Sequence, residues 1–147
     1  MNSTLIFQEP TQAVVLGYAP MDDVHAEFAD VIARAAACND ADFMSCLDEV
    51  IRHLRSHFEA EDAWMRASDF PPKDCHMQEH AAVLRSADEV CALPAERQVD
   101  VGRAFVRELA DWFPGHADYL DSALAAWMCK RAHGGKPIVL HRREKSE

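Results

Sequence analysis

Seven titratable side chains occupy positions that a helical protein would bury. His57 and Glu61 stand four residues apart, as do His76 and His80, so each pair lies on one face of its helix. Imidazole nitrogens and carboxylate oxygens are ligands that iron accepts, and burying many such groups without a cation is costly. The spacing therefore indicates a buried metal centre, with these candidate ligands: His25, His57, Glu61, His76, His80, His116 and Asp121.

Other histidines favour simpler interpretations. His53 precedes His57 by four residues and lies on the same side of the predicted helix, but it is one turn further from Glu61. We interpret His53 as an ordinary packed side chain. His133 and His141 follow the last predicted helix and are expected to be solvated.

The spacing of His116 and Asp121 departs from helical periodicity. Residues five apart in an α-helix diverge by about 140°. Pro114 and Gly115 come immediately before His116, and proline within a helix is a common cause of distortion. The sequence therefore predicts a local irregularity here if both side chains reach one site.

Four amphipathic stretches must position these residues. Apolar side chains recur every three or four residues along each stretch, most clearly over five turns of the second. Short breaks between them predict an all-α fold, an antiparallel up-down-up-down four-helix bundle with an extended N-terminal arm and a short C-terminal tail. Asp22 or Asp23 is the expected cap of the first helix. We expect a single domain over 1–147, with arm 1–20, bundle 21–132 and tail 133–147, and helices from Pro20 to about Cys38, Ala41 to Ala67, Pro72 to Leu93, and Glu96 to Ala132.

The composition narrows the choice of partners and location. The 147 residues carry a net charge of −10, which disfavours nucleic acid and anionic lipid as partners. No stretch approaches the roughly 20 apolar residues of a membrane span, and the first ten residues lack a secretory signal pattern. We expect a cytoplasmic monomer with no known protein partner. The cysteines, odd in number and without a CxxC pair, are expected to be reduced thiols: Cys38, Cys46, Cys75, Cys91 and Cys129.

The ordered pattern H, HxxxE, HxxxH, HxxxxD resembles that of the hemerythrins, in particular the bacterial single-domain type. All seven positions match in order and in spacing, and the resemblance extends from about Leu16 to Met128. Flanking residues agree as well: Gly17 to Asp22 before His25, Phe58 to Ala60 between His57 and Glu61, Met65, Phe70-Pro71 before His76, and Trp112 before His116.

The resemblance implies a pair of iron ions that binds dioxygen reversibly. His76, His80 and His116 would bind one iron, and His25 and His57 the other. Glu61 and Asp121 would bridge the two irons together with an oxo or hydroxo group, and the two-histidine iron would keep a free coordination place. Phe28, Phe58, Leu84 and Trp112 are expected to surround the site.

Three departures from the family pattern leave these ligands intact. The arm lacks a common tryptophan, for which Phe7 is a candidate substitute. Val24 replaces a frequent glutamine, and Pro114-Gly115 is not the commonest pair at its position.

The sequence leaves other functions open. The same scaffold could carry a di-iron enzyme acting on peroxide or nitric oxide, although we expect a binding protein rather than an enzyme. It could also be a signalling module whose metal site controls a partner, a metal store, or a bundle with structural zinc.

Overall fold

The computed structural model describes residues 14–132. These residues form a four-helix bundle whose last helix is interrupted by one π-helical turn. In chain order the elements are α1 (Ala19–Ala37), α2 (Asp40–Ser68), α3 (Lys73–Cys91), α4 (Ala95–His116), the π segment (Ala117–Asp121) and α5 (Ser122–Ala132).

The connections between helices are short, so consecutive helices run antiparallel. Helix α1 packs against α2 and α4, and α3 packs against the same two helices, which closes the bundle. The prediction of an all-α four-helix bundle is confirmed. No helix within residues 14–132 is long and apolar enough to cross a bilayer. The predicted tail, with His133 and His141, and most of the predicted arm, with Phe7, lie outside the described residues.

The apolar faces meet in two clusters. The larger cluster fills the bundle with side chains such as Phe28, Phe43, Leu54 and Leu109. The smaller one lies around Met65 and contains Met21, Phe70, Leu124 and Ala125. Because apolar burial is the main favourable contribution to folding, these clusters provide the frame that holds the polar site.

The start of α1 differs from the prediction. The helix begins at Ala19 with Tyr18 as its N-cap residue, so neither Asp22 nor Asp23 caps it. The carboxylate of Asp22 instead turns back and accepts hydrogen bonds from the amides of Leu16 (2.7 Å) and Gly17 (3.1 Å). Gly17 makes the bend possible with a φ of +95°, which glycine adopts readily. Asp22 thus holds the preceding chain against the bundle.

The other helix ends follow the sequence more closely. The side chain of Asn39 caps α2 by accepting from the amide of Asp42, and Asp69 closes α2 in a left-handed conformation. Pro72 is the N-cap of α3 rather than its first residue. Among the described residues, Cys38, Cys46, Cys75 and Cys91 form no disulfide.

The predicted irregularity lies directly after His116. Residues 117–121 form a π-helical turn, in which backbone bonds link residues five apart instead of four. This wider turn brings residues five apart to the same side of the helix. His116 and Asp121 consequently face one point, and their Nε2 and Oδ1 atoms lie 3.1 Å apart.

Candidate metal centre

All seven residues predicted as ligands lie inside the bundle, and each is at most 4% exposed. One comes from α1, two from α2, two from α3, and two from the helix formed by α4 and the π segment. The i, i+4 spacing on α2 and α3 gives each of these helices two inward side chains. The π turn does the same for the spacing of five. The site is therefore assembled from all four helices of the bundle.

The ligand atoms form two overlapping groups, and within each group they lie within 4.8 Å of one another. One group contains three histidines and the other contains two. Both groups share the same two carboxylates. The first consists of Glu61, His76, His80, His116 and Asp121, and the second of His25, His57, Glu61 and Asp121.

Each carboxylate directs one oxygen toward each group. Glu61 Oε1 lies 3.2 Å from Nε2 of His80, and its Oε2 lies 3.0 Å from Nε2 of His57. Asp121 Oδ1 lies 2.9 Å from Nε2 of His76, and its Oδ2 lies 3.1 Å from Nε2 of His25. The two carboxylates thus stand between the groups as a pair of potential bridges.

Several of these buried atoms are poorly satisfied by the protein itself. Among the described residues, Glu61 Oε1, Asp121 Oδ1 and His76 Nε2 make no hydrogen bond of good geometry. The Nε2 atoms of His80 and His116 face each other at 3.3 Å. Because both Nδ1 atoms contact carboxylates, two neutral imidazoles would direct two lone pairs at each other. Buried polar groups are normally paired, and converging lone pairs suit a cation. The donor set therefore fits a pair of metal ions.

The electrostatics of the cluster are strongly coupled. Burial lowers the pKa of His25, but hydrogen bonds to Asp121 and Glu61 outweigh burial and raise the pKa to about 9. For His76, close contacts of Nε2 with the same two carboxylates, at 2.9 and 3.5 Å, also outweigh burial and raise the pKa to about 9. Burial raises the pKa values of both carboxyl groups, but hydrogen bonds from the histidines lower them below their usual range. The histidines and carboxylates of the cluster thus stabilise one another's charged forms.

Three groups outside the predicted set orient the histidines. The Nδ1 of His80 lies 2.8 Å from Asp62 Oδ1, and the Nδ1 of His116 lies 2.8 Å from Glu79 Oε1. The Nδ1 of His25 lies 3.2 Å from the carbonyl oxygen of Val14. The sequence analysis did not identify these partners. In the sequence, only the position next to a candidate ligand points to the two carboxylates: Asp62 follows Glu61, and Glu79 precedes His80.

Aromatic rings enclose the site. Phe58 stacks on His80 with ring centroids 4.0 Å apart, and Trp112 stacks on His116 at 4.3 Å. Phe28 lies at the two-histidine side, as expected, but Phe113 was not predicted there. Its centroid lies 5.0 Å from that of His25 and 4.5 Å from that of Phe28. The fourth expected neighbour, Leu84, is half-buried and packs against the larger core cluster.

His53 lies beside the site without joining it. Its ring packs against His57 and Phe28, with centroids 5.2 and 5.9 Å away, and it belongs to neither group of candidate ligands. Burial, with electrostatic repulsion from the His57 and His25 rings, lowers the pKa of His53 to about 4. This placement agrees with the interpretation of His53 as a packed, neutral side chain.

Comparison with known proteins adds the family. The sequence model of the hemerythrin HHE cation-binding domain matches residues 16–128. The chain belongs to the hemerythrin family. A bacteriohemerythrin from Ralstonia nicotianae is 40% identical over 121 residues, which cover 82% of this chain and 88% of the relative. No solved structure matches the chain.

Membership in the hemerythrin family confirms the resemblance on which the sequence interpretation depended. It supports a metal-binding function related to oxygen. The matched range contains every candidate ligand, from His25 to Asp121.

Proposed function

We propose that this hemerythrin binds two iron ions and, through them, dioxygen reversibly. His76, His80 and His116 would hold one iron, His25 and His57 the other, and Glu61 and Asp121 would bridge them. An oxo or hydroxo group from solvent would complete the bridges. We further propose a cytoplasmic, monomeric protein that acts as a carrier, store or sensor of oxygen rather than as an enzyme.

One observation carries the proposal: two histidine groups of unequal size share the same two carboxylates. With two carboxylates and one solvent bridge common to both, the three-histidine group provides six ligands. The two-histidine group provides five, which leaves one place for a small ligand. When bound there, ferrous iron supplies the electrons and the open coordination place that dioxygen binding requires.

The protein's own part is to position ligands and exclude water. Phe28 and Phe113 lie against His25 and His57, where the free place would be, and both rings are at most 2% exposed. An apolar wall limits access of water and protons, and it therefore slows irreversible oxidation. The helix pairs around the site keep the spacing of its ligands fixed.

The ligand chemistry favours binding over turnover. Ferritin-like di-iron sites use four glutamates and two histidines, whereas this cluster contains five histidines and two carboxylates. Fewer anionic ligands stabilise high-valent iron less. Both carboxylates are buried and contact histidines from several helices, so neither is free to move during a catalytic cycle.

The test is reconstitution with ferrous iron without air, followed by admission and then removal of oxygen. We expect two irons per chain and a visible charge-transfer band that appears with oxygen and disappears without it. His57→Ala should lower the iron content, because the remaining ligands are incomplete. His53→Ala is the matched control on the same helix and should retain two irons.

Other results would contradict the proposal. Binding of zinc but not iron would indicate a structural site. Steady consumption of peroxide or nitric oxide without a reversible spectrum would indicate an enzyme.

A further inference from the structure

We propose that Asp62 and Glu79 are positioning residues that act through His80 and His116 and make the two halves of the centre electrostatically unequal. The inference rests on the proposed function, since it concerns how these histidines would hold a metal. It assigns a role to two carboxylates that touch no candidate metal position themselves.

The geometry of the two contacts is alike. In each, the far nitrogen of a histidine meets a carboxylate oxygen at 2.8 Å, while the near nitrogen faces the cluster. A carboxylate accepts only, so Nδ1 must carry a proton, and in the neutral or metal-bound ring Nε2 then presents its lone pair to the cluster. Asp62 reaches from α2 to α3, and Glu79 reaches from α3 to α4. Each contact thus fixes a tautomer and ties two helices together beside the site.

Aromatic stacking restricts the orientation of the His80 and His116 rings. The Phe58 and His80 rings are nearly parallel, at 4°, with centroids 4.0 Å apart. Trp112 and His116 meet at 29° and 4.3 Å. A ring held by a hydrogen bond at its edge and by a stacked face has little freedom to turn. His80 and His116 are therefore preorganised before any metal arrives.

In the part of the chain that the structure describes, the two-histidine group has no outer carboxylate partner of this kind. His25 meets the neutral carbonyl of Val14 at 3.2 Å. Nδ1 of His57 has no hydrogen-bond partner among the described residues, and the same holds for His76 within the three-histidine group. Within residues 14–132, both outer carboxylates thus contact histidines of the three-histidine group, and none contacts His25 or His57 from outside the cluster.

This arrangement has a chemical consequence. A carboxylate behind an imidazole makes it a stronger donor and fixes its orientation. The three-histidine group should therefore hold its ion more tightly and favour the more positive oxidation state. The other position stays a weaker, more adaptable site, as a place for an exchangeable ligand should be. Because the Asp62 side chain is 20% exposed and that of Glu79 is 45% exposed, solvent screens Glu79 more. The effect of Asp62 should be the larger.

The first experiment uses zinc, which has no redox chemistry, in the full-length protein labelled with nitrogen-15. Long-range proton–nitrogen NMR spectra then report which nitrogen of each histidine carries the proton. We expect protonated Nδ1 in His80 and His116, with slow exchange. In Asp62→Asn the signal of His80 should shift while that of His116 stays in place, and Glu79→Gln should show the reverse. The control is Asp88→Asn, which removes an exposed carboxylate on α3 that pairs with Arg55 of α2. It should shift neither the His80 signal nor the His116 signal.

The second experiment separates charge from orientation. Asp62→Ala removes both and should weaken zinc binding by about 10- to 100-fold in a chelator competition. Asp62→Asn keeps an acceptor oxygen, so it should recover most of the affinity. In iron-loaded protein, however, Asp62→Asn should still raise the midpoint potential, since a negative charge is lost. If Asp62 only supported the fold, its substitutions would change stability without separating the effect on zinc affinity from the effect on midpoint potential.

The outcomes for the inference and for the proposed function are distinct. The inference is overturned if Asp62→Asn and Glu79→Gln leave the NMR signals and the midpoint potential unchanged in protein that oxygenates reversibly. If the wild type binds zinc with the expected tautomers but shows no reversible oxygenation, the inference stands and the proposed function fails.

Discussion

The metal-free protein should hold protons on two buried histidines well above neutral pH. Burial lowers the pKa values of His25 and His76, but hydrogen bonds to Asp121 and Glu61 raise both to about 9. At pH 8 a group with this pKa is roughly 90% protonated, whereas an ordinary histidine is only about 3% protonated. The two cases are therefore easily distinguished at pH 8.

The assay is nitrogen-15 NMR of the histidine rings after chelator treatment, because imidazolium and neutral imidazole have different nitrogen shifts. We expect His25 and His76 to remain imidazolium at pH 8. Asp121→Asn removes the partner that raises both pKa values most, so both pKa values should fall and less imidazolium should remain at pH 8. Asp118→Asn changes an exposed carboxylate in the same π segment and is the control. Neutral His25 and His76 at pH 8 in the wild type would refute the reasoning.

The same protons link stability to pH. A histidine whose pKa is higher in the folded state stabilises the fold below its unfolded pKa, and this stabilisation is lost as pH rises through the folded pKa. For each histidine the difference between 6.5 and about 9 corresponds to at most about 3 kcal/mol. The carboxyl groups of Glu61 and Asp121 have lowered pKa values, so their contribution is lost in acid instead.

Metal binding should oppose the loss of stability at alkaline pH. Because metal ions displace these protons, the stabilisation by zinc should increase from pH 6.5 to pH 9. Urea unfolding with chelator and with zinc at both pH values measures the change. A zinc effect that is the same at both pH values would show that no protons are displaced.

Two further predictions concern packing around the site. Gly102→Ala would place a Cβ 2.8 Å from the fully buried ring of Phe43, so we expect a loss of about 1–3 kcal/mol in unfolding free energy. In Gly115→Ala the added Cβ meets nothing within 4 Å, and the unfolding free energy should increase by up to about 1 kcal/mol because alanine favours the helix more than glycine. Equal stability of the two variants in urea would contradict this packing. Phe113→Ala should cost about 3–5 kcal/mol and also accelerate oxidation of the ferrous protein, because it opens the wall beside His25. Phe43→Ala should cost a similar amount without this acceleration, and equal oxidation rates in the two variants would exclude a protective role for Phe113.

The sequence was most informative where metal-ligating side chains occupy the apolar stripe of a predicted helix. Pairs such as His57 with Glu61 are polar residues on an apolar stripe, and this conflict is visible without coordinates. The fold class followed from the same stripes. The unequal division of histidines, in contrast, was implied by family resemblance, and the two overlapping groups in the structure are consistent with it.

Contacts between helices could not be predicted in the same way. Asp62 and Glu79 resemble any solvated carboxylate in sequence, because their partners belong to neighbouring helices. The error at Asp22 has a related cause. An aspartate after a proline near a helix start suggests a cap, but whether its side chain turns toward the helix or toward the preceding chain depends on the bend at Gly17.

The π turn absorbs one additional residue within the last helix. Its wider winding keeps the stretches before and after it in phase, so Leu124 faces the smaller apolar cluster while His116 faces the metal site. Removing one residue from this turn, such as Tyr119, would restore regular helix and place Asp121 four positions after His116. Residues four apart in an α-helix also share a face, so this deletion should leave Asp121 and Leu124 close to their present orientations. The turn thus accommodates one more residue without loss of either metal coordination or end packing.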